Sequence, residues 1–197
     1  IIGSSDLQML GDLFEQLLNK GFKQNEGQFF TPIPITRFIW DSLPLENIIQ
    51  KGDNIEYPKI IDYACGAGHF LNESASQIKP FVEQYKGEQS LVDYYKQIYG
   101  IEKEYRLSKV SKVSSFMYGQ DGIQIVYGDA LVPHEAIKDG DFKVLVANPP
   151  YSVTGFLATL SKEQRDAYVL SADVDSKQLE TNNSIETFFI ERAKQLL

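Results

Sequence analysis

Apolar runs and helical patterns alternate along most of this chain. A strand is predicted where apolar residues follow one another and end at turn residues, and a helix where they recur every three or four positions. Alternation of the two is typical of a parallel sheet covered by helices, which is the α/β class of fold. The four predicted strands are residues 59–64, 98–101, 123–127 and 142–147.

Helical patterns fill most of the remaining sequence. Ser161 and Gln164 have the spacing of a capping box, and Ser184 precedes an apolar periodic run, so both serines predict the start of a helix. Breaks are expected near Pro80 and Gly87. The predicted helices are residues 5–19, residues 35–42, residues 71–97 with those breaks, a helix ending near Gly119 with Leu107, Val110, Val113 and Met117 on one face, residues 161–170, and a helix after Ser184 that carries Phe188, Phe189, Ala193 and Leu196, with a polar loop at 171–183.

The composition limits the class of protein. With 197 residues and 43% hydrophobic content, the chain can bury a substantial core as one domain. No apolar run approaches the ~20 residues of a membrane helix, and the single Cys65 excludes an internal disulfide and suits a reducing compartment. We therefore expect a cytoplasmic protein with no membrane role. The first residue is Ile1 rather than Met, which suggests part of a longer protein.

The net charge of −8, from 19 basic and 27 acidic residues, bears on nucleic-acid binding. Phosphate contacts need lysine and arginine, so this balance argues against strong nucleic-acid binding by the chain alone. We interpret Lys109 and Lys112 as part of a solvated helix face rather than a DNA-binding patch. Any nucleic-acid role would depend on another domain or a partner for most of its affinity.

The residues with chemical potential lie where predicted strands end. Asn148-Pro149-Pro150-Tyr151 directly follows the fourth strand. The prolines fix φ and remove two backbone donors, so the carbonyls of this turn stay free to accept hydrogen bonds. Open α/β sheets bind ligands at the carboxyl ends of their strands, where these acceptors and the ring suit a flat molecule carrying an amine. Taken alone, the four residues would favour a plain tight turn.

The first strand ends at Asp62 and leads through Cys65-Gly66-Ala67-Gly68 into a helix. The glycines let the backbone approach a ligand, and the first N–H groups of the helix face the same crevice. Only two glycines are present, so the dinucleotide fingerprint with its third glycine is not met. The Asp62 carboxylate at this strand end suits a cationic amine better than a diphosphate. Glu102 ends the second strand, where nucleoside-binding α/β folds hold ribose hydroxyls. A simple glycine turn is the alternative interpretation.

Five motifs in one linear order resemble those of the S-adenosylmethionine-dependent adenine-N6 DNA methyltransferases. More narrowly, the chain is similar to the modification subunits of type I restriction systems and to related restriction-linked methylases. Each motif is weak alone, but their common order over nearly the whole chain is specific. The motifs are Gly27-Gln28-Phe29-Phe30-Thr31-Pro32, the glycine turn within residues 62–71, Gly100-Ile101-Glu102, Gly128-Asp129-Ala130-Leu131 and Asn148-Pro149-Pro150-Tyr151.

The resemblance implies a doubly wound, Rossmann-like methyltransferase sheet. Residues 1–45 would form an amino-terminal helical segment and a cofactor-covering loop, and residues 46–197 an incomplete catalytic domain. Asn148 and Pro149 would accept hydrogen bonds from the target amine, with Pro150 fixing the turn and Tyr151 stacking on a flipped-out adenine. The implied S-adenosylmethionine-binding residues are Phe29, Phe30, Thr31 and Pro32 at the methionine end, Asp62, Cys65, Gly66 and Gly68 around the amino acid part, Glu102 at the ribose, and Asp129 and Ala130 at the adenine ring; no metal ligand is implied.

The resemblance also implies partners. The family's later strands would fall after Leu197, so we expect a domain truncated at its carboxyl end. Double-stranded DNA would be held largely by a missing domain or by specificity and restriction subunits. One alternative is a methyltransferase acting on a protein glutamine amide or an RNA guanine amine, families that usually lack Gly-Gln-Phe-Phe-Thr-Pro. Another is a non-catalytic cofactor-binding subunit, against which the intact Asn148 and Tyr151 argue.

Overall fold

The computed structural model describes Met9, Leu13 and residues 31–51, 54–85 and 90–197. The amino-terminal helix predicted for residues 5–19 lies outside the described residues apart from Met9 and Leu13, as do Phe29 and Phe30. The strands are β1 Gln50–Lys51, β2 Asn54–Ile55, β3 Ile60–Asp62, β4 Ile98–Glu102, β5 Gln124–Tyr127 and β6 Val144–Leu145. The α-helices are α1 Ile33–Asp41, α2 Leu45–Ile49, α3 His69–Tyr85, α4 Leu91–Tyr95, α5 Tyr105–Met117, α6 Lys162–Asp166 and α7 Ile185–Leu196, and 3-10 helices cover Phe156–Thr159, Val169–Asp173 and Ser176–Gln178.

Four of the strands form a parallel sheet in the order β5-β4-β3-β6, while β1 and β2 form a separate antiparallel pair. From β3 the chain moves outward through β4 to β5 and then returns to place β6 on the other side of β3. The strand order therefore reverses between β3 and β6, which is the point where doubly wound sheets bind ligands. The predicted α/β class with a doubly wound sheet is confirmed.

Each face of the sheet has its own hydrophobic core. Ile60 and Ile61 are both fully buried, but they belong to different core clusters because neighbouring side chains of a strand point to opposite faces. Ile60 packs with Trp40 of α1 and with the apolar side of α3, whereas Ile61 packs with Phe188 of α7. Burying one such side chain stabilises the fold by roughly 1.5–3 kcal/mol.

Helix α3 runs through Pro80, so the predicted break at this residue is wrong. Proline removes one hydrogen bond from the helix interior. The same helix buries Leu71, Ala75 and Ile78 completely, and that apolar burial outweighs the missing bond. Pro80 itself is exposed. The break predicted near Gly87 lies outside the described residues.

Helix α5 buries serine side chains instead of the predicted apolar face. The prediction of a helix here is right, but of the four predicted face residues only Leu107 is buried, and Val113 is exposed. The reason is close packing: a Cβ atom on Gly68 would lie 2.6 Å from Ser111 Oγ, so only small side chains fit between α5 and the glycine turn. The buried residues of α5 are Leu107, Ser108, Ser111, Ser114 and Ser115.

The segment after β6 is less regular than predicted. The fourth strand is limited to Val144–Leu145, which pairs with Ile60 and Ile61. The capping box of Ser161 and Gln164 is confirmed, but helix α6 ends at Asp166 instead of continuing to residue 170. Ser184 stands at the amino-terminal cap of α7, although its hydroxyl makes no capping hydrogen bond.

Residues 171–183 are not simply the polar loop that their composition predicts, because two 3-10 helices extend into or lie within them. The first is held by α7, where Glu191 accepts hydrogen bonds from the N–H groups of Val169 and Leu170 at 2.6 and 3.1 Å. A local sequence pattern gives no sign of this contact. In the part of the chain that the structure describes, no helix has the length and apolar character needed to cross a membrane.

Candidate functional site

The carboxyl ends of the parallel strands open into one cavity of about 470 Å³. This volume lies within the usual range for small-molecule sites. The cavity lies at the switch point of the sheet, since its walls include the residues that follow β3 and β6. Eight residues predicted from the sequence as site residues line it: Gly66, Glu102, Asp129, Ala130, Asn148, Pro149, Pro150 and Tyr151.

Five other predicted site residues are described but do not line this cavity: Thr31, Pro32, Asp62, Cys65 and Gly68. Asp62, Cys65 and Gly68 flank the cavity residues Ala64 and Gly66 in the chain. His69 Nδ1 is 2.7 Å from the Thr31 carbonyl oxygen, a hydrogen bond in which the ring nitrogen donates and which ties Thr31 to the start of α3. This contact gives His69 a packing role at the start of α3. The roles of the five residues in cofactor binding stay predictions.

The glycine turn after β3 contains two positions whose backbone conformation favours glycine. Gly66 and Gly68 have φ angles of 54° and 92°, in the left-handed region that disfavours side chains. The turn is closed by hydrogen bonds from Gly68 N–H to the Cys65 carbonyl oxygen, at 2.7 Å, and from Ala64 N–H to Asp62 Oδ1, at 3.0 Å. The backbone of this turn therefore reaches the cavity without a side chain in the way.

Asp62 is 1% exposed. Burial raises the pKa of its carboxyl to about 8; the Ala64 N–H opposes this shift, the nearby Glu102 carboxylate adds to it and His69 lowers it. A buried carboxyl with a raised pKa and a second carboxyl nearby is typical of a site built to receive positive charge.

Glu102 connects β4 to the glycine turn. Its Oε2 accepts from Gly66 N–H at 2.9 Å, and its Oε1 accepts from Glu104 N–H at 2.7 Å. Burial raises the pKa of Glu102, while these backbone donors lower it. A carboxylate has about four lone-pair positions, so Glu102 can still accept from hydroxyl groups of a ligand in the cavity.

Asp129 is oriented by two partners at the turn after β5. Its Oδ1 accepts from Leu131 N–H at 3.0 Å, and its Oδ2 lies 2.7 Å from Lys103 Nζ. Lys103 also lines the cavity, and the sequence analysis did not identify it. In the sequence, only its position directly after Glu102 at the strand tip points to Lys103. Its ion pair with Asp129 could not be predicted, because Asp129 follows the neighbouring strand.

The Asn148 turn presents acceptors to the cavity. The Asn148 side chain is exposed and makes no hydrogen bond with any residue that the structure describes. The following turn is fixed from behind: Ser152 has a φ angle of 56°, unusual for serine, and its N–H donates to Glu186 Oε1 of α7 at 2.8 Å. Tyr151, between the prolines and this anchor, is 46% exposed at the cavity rim.

Helix α7 also holds the segments that follow β5 and β3. The buried Arg192 donates from Nε to the Ala130 carbonyl oxygen at 3.1 Å and from Nη1 to Asp139 Oδ1 at 2.7 Å. Tyr63 donates its hydroxyl to the Phe189 carbonyl oxygen at 3.0 Å, and the two rings meet edge to face at 5.0 Å. Phe189 lines the cavity. The helical pattern predicted this helix, but not which of its side chains would reach the site.

The cavity thus combines strand-end acceptors with an apolar wall. Leu131, Phe156 and Phe189 supply apolar surface, and Glu102, Asp129 and Asn148 supply oxygen acceptors. This arrangement suits a flat heterocycle with amine and hydroxyl donors. Among residues 31–51, 54–85 and 90–197 no group of three His, Cys, Asp or Glu side chains is close enough to hold a metal ion.

A doubly wound sheet with its ligand cavity at the switch point is the architecture of nucleotide- and nucleoside-binding α/β proteins. The sequence matches the family described as N-6 DNA Methylase over residues 5–193, and the chain belongs to that family. The family predicted from the five motifs is therefore confirmed.

Relatives within the family are subunits of restriction enzymes. The chain is 28% identical over 165 residues to the type I restriction enzyme MjaVII methylase subunit of Methanocaldococcus jannaschii, a match that covers 82% of this chain and 25% of the relative. It is 28% identical over 154 residues to the EcoEI methylase subunit of Escherichia coli, covering 77% and 29%. The chain thus spans less than a third of the length of these relatives.

A solved structure has the same fold. The type I restriction-modification system methyltransferase subunit from Streptococcus thermophilus superposes with a TM-score of 0.61 at 17% identity, over 100% of this chain and 38% of that chain. At this identity the likeness concerns the fold alone.

Proposed function

We propose that the complete protein transfers a methyl group from S-adenosylmethionine to the N6 amine of a flipped-out adenine in DNA, as the modification subunit of a restriction system. The observation that carries this proposal is the exposed Asn148 amide at the carboxyl end of β6, in one cavity with Gly66, Glu102 and Asp129. Membership of the N-6 DNA methylase family and the restriction-enzyme relatives support it.

The cavity residues fit the cofactor. Glu102 retains lone pairs for ribose hydroxyls, Asp129 offers an oriented carboxylate for the adenine amine, and the Gly66 backbone has no side chain to exclude the amino acid part. Phe29, Phe30, Thr31, Pro32, Asp62, Cys65, Gly68 and Ala130 complete the proposed cofactor-binding set. When bound, the cofactor supplies an electrophilic methyl group on its sulfonium.

The chain's own part in the reaction is to prepare the amine. The N6 lone pair of adenine is delocalised into the ring, which makes it a poor nucleophile. The side-chain oxygen of Asn148 and the carbonyl oxygen of Pro149 accept hydrogen bonds from the two N–H groups of the amine. These bonds favour a more tetrahedral nitrogen. This is electrostatic preorganisation, and loss of one such acceptor costs roughly 10²–10³ in rate by analogy with oxyanion holes. No strong base is needed, because methylation makes the nitrogen acidic.

The prolines and Tyr151 have distinct parts. Pro149 and Pro150 carry no N–H, so no donor of the turn competes with the amine for these acceptors. The target amine is hidden inside duplex DNA, so the base must leave the stack, and the exposed ring of Tyr151 offers a surface on which it stacks. DNA and the specificity and restriction subunits are the proposed partners, since the relatives are themselves named subunits of restriction enzymes.

The test uses the complete protein with its partner subunits, labelled S-adenosylmethionine and duplex DNA. We expect label on adenine N6, and Asn148→Ala to lower the single-turnover rate roughly 10²–10³-fold while cofactor affinity stays within a factor of two. Asn183→Ala, at an exposed asparagine that does not line the cavity, is the matched control. Label on RNA or protein instead of DNA, or undiminished methylation by Asn148→Ala, would refute the proposal. No transfer to any substrate would favour a scaffold subunit.

A further inference from the structure

Helix α5 buries mostly serines and exposes several of its large apolar side chains. Its buried face is serine-rich, as described above, whereas Tyr105 and Phe116 are 56% and 64% exposed and Val113 is also exposed. Several large apolar side chains exposed on one helix are a common sign of an interaction site. The outward face of this helix is therefore a candidate interaction surface.

The same face carries only positive charge. Arg106, Lys109 and Lys112 are exposed, and no acidic residue occurs between residues 105 and 119, although the chain as a whole has a net charge of −8. Residues at positions i, i+4, i+7 and i+11 of a helix lie in one stripe. Tyr105, Lys109, Lys112 and Phe116 have this spacing, so two lysines lie between two exposed rings in a stripe about 16 Å long.

The stripe begins beside the cavity. Tyr105 comes three residues after Glu102, and its ring packs edge to face against Tyr127, the last residue of β5, at 5.4 Å. Lys109 Nζ lies 5.0 Å from the centre of the Tyr105 ring. Glu104 and Leu107, at the start of α5, line the cavity, so the stripe and the cavity share this end of the helix. A molecule that extends beyond the cavity at this edge would meet the stripe next.

We propose that the outward face of α5 is a DNA-contacting surface, on which Arg106, Lys109 and Lys112 bind phosphates while Tyr105 and Phe116 pack against sugars and bases. This inference rests on the proposed function, because it names where the DNA of that reaction is held. It revises the interpretation of Lys109 and Lys112 as a solvated face, since the sequence pattern did not reveal the exposed rings beside them.

An acidic protein segment is the competing occupant, and the composition of the face argues against it. Tyrosine, phenylalanine and arginine are common in both kinds of interface, but lysine is depleted in protein–protein interfaces and favours nucleic acid here. The cations are also exposed and make no salt bridge with any residue that the structure describes, so they remain available to phosphates.

The experiment measures DNA affinity of the complete protein, with its partner subunits and without cofactor, at several salt concentrations. The probe is a labelled duplex, followed by fluorescence anisotropy. Each phosphate neutralised contributes about 0.9 to the slope of log affinity against log salt. We expect Lys109→Gln/Lys112→Gln to reduce that slope by about 2. Lys138→Gln/Lys177→Gln removes the same charge from exposed positions outside α5 and serves as the control, with a smaller change expected.

An unchanged slope in the α5 variant, or an equal reduction in the control, would overturn the assignment. Loss of a partner subunit on size-exclusion chromatography, with the slope unchanged, would assign the face to an acidic protein instead. Methylation is assayed separately on the same samples. A wild-type protein that binds DNA through α5 but transfers no methyl group would refute the proposed function and leave the surface in place.

Discussion

Lys103 Nζ lies 2.7 Å from Asp129 Oδ2, so a lysine at the tip of β4 pairs with a carboxylate that follows β5. This carboxylate is the group proposed to accept the cofactor's adenine amine. Lys103 is 63% exposed in its side chain, so the pair contributes little stability by itself. Its consequence is for the ligand: an incoming amine shares the Asp129 carboxylate with the Lys103 ammonium and uses the lone pairs that remain.

This arrangement predicts unequal effects of two variants on cofactor affinity. Asp129→Asn replaces one acceptor oxygen by a donor group, so we expect a loss of about tenfold or more, the scale of one charge-assisted hydrogen bond. Lys103→Met removes only the exposed partner and should change affinity by less than fivefold. Calorimetry with the complete protein measures both. Equal losses would mean that Lys103, and not only Asp129, contacts the ligand.

The raised pKa of Asp62 predicts a pH dependence of stability. The pKa rises from 3.8 to about 8 on folding, so between these values the folded state holds a proton that the unfolded state has released. The free energy of unfolding therefore falls as the pH rises through this window and levels off above 8. Asp62→Asn has no proton to lose. We expect it to gain on the order of 3 kcal/mol in the free energy of unfolding, relative to wild type, as the pH rises from 5.5 to 8.5.

Denaturant unfolding at the two pH values provides the measurement. Asp175→Asn, at an exposed carboxylate, is the control and should show no such gain. The same difference between Asp62→Asn and wild type at both pH values would mean that the buried carboxyl does not titrate in this range.

The hydrogen bond from Arg192 to the cavity segment at Ala130 should contribute to the free energy of unfolding. Arg192→Met keeps the length of the buried side chain but leaves the Ala130 carbonyl oxygen without its 3.1 Å donor. We expect a loss of about 2 kcal/mol in the free energy of unfolding, the usual effect of an unsatisfied buried group. Arg192→Lys should rescue little, because one ammonium cannot reproduce the planar fork that reaches both Ala130 and Asp139. Full stability in the lysine variant would contradict this role.

Variants of Tyr151 and Asn148 should affect different steps, because Tyr151 is proposed to act in base extrusion and Asn148 in methyl transfer. Tyr151→Phe keeps the ring and should be mild, whereas Tyr151→Ala should lose stacking worth ~1–3 kcal/mol. A mismatch opposite the target adenine lowers the energy of extrusion, so it should partly rescue Tyr151→Ala and not Asn148→Ala. Single-turnover methylation of matched and mismatched duplexes by the complete protein gives the comparison. Equal rescue of both variants would contradict the separate roles proposed for Tyr151 and Asn148.

The sheet was predictable because its strands are short apolar runs that end at chemically distinctive residues. The same runs placed Glu102, Asp129 and Asn148 at strand tips, and parallel strands bring such tips together. The buried side of α5 was not predictable, since its serines are selected by contact with Gly68, a residue far away in the sequence. Lys103 and Arg192 were missed for a similar reason: their partners, Asp129 and Ala130, lie on other elements.

Helix α7 follows all four parallel strands in the chain, yet it anchors the segments after three of them through Glu186, Phe189 and Arg192. During synthesis on the ribosome, the strands can pair before this helix has emerged. A nascent chain at that stage possesses Asn148, Asp129 and Glu102 but not their final spacing. Cofactor affinity should therefore appear only when α7 has emerged and docked. In a series of translation-arrested chains, we expect ligand binding to begin at the length that exposes α7.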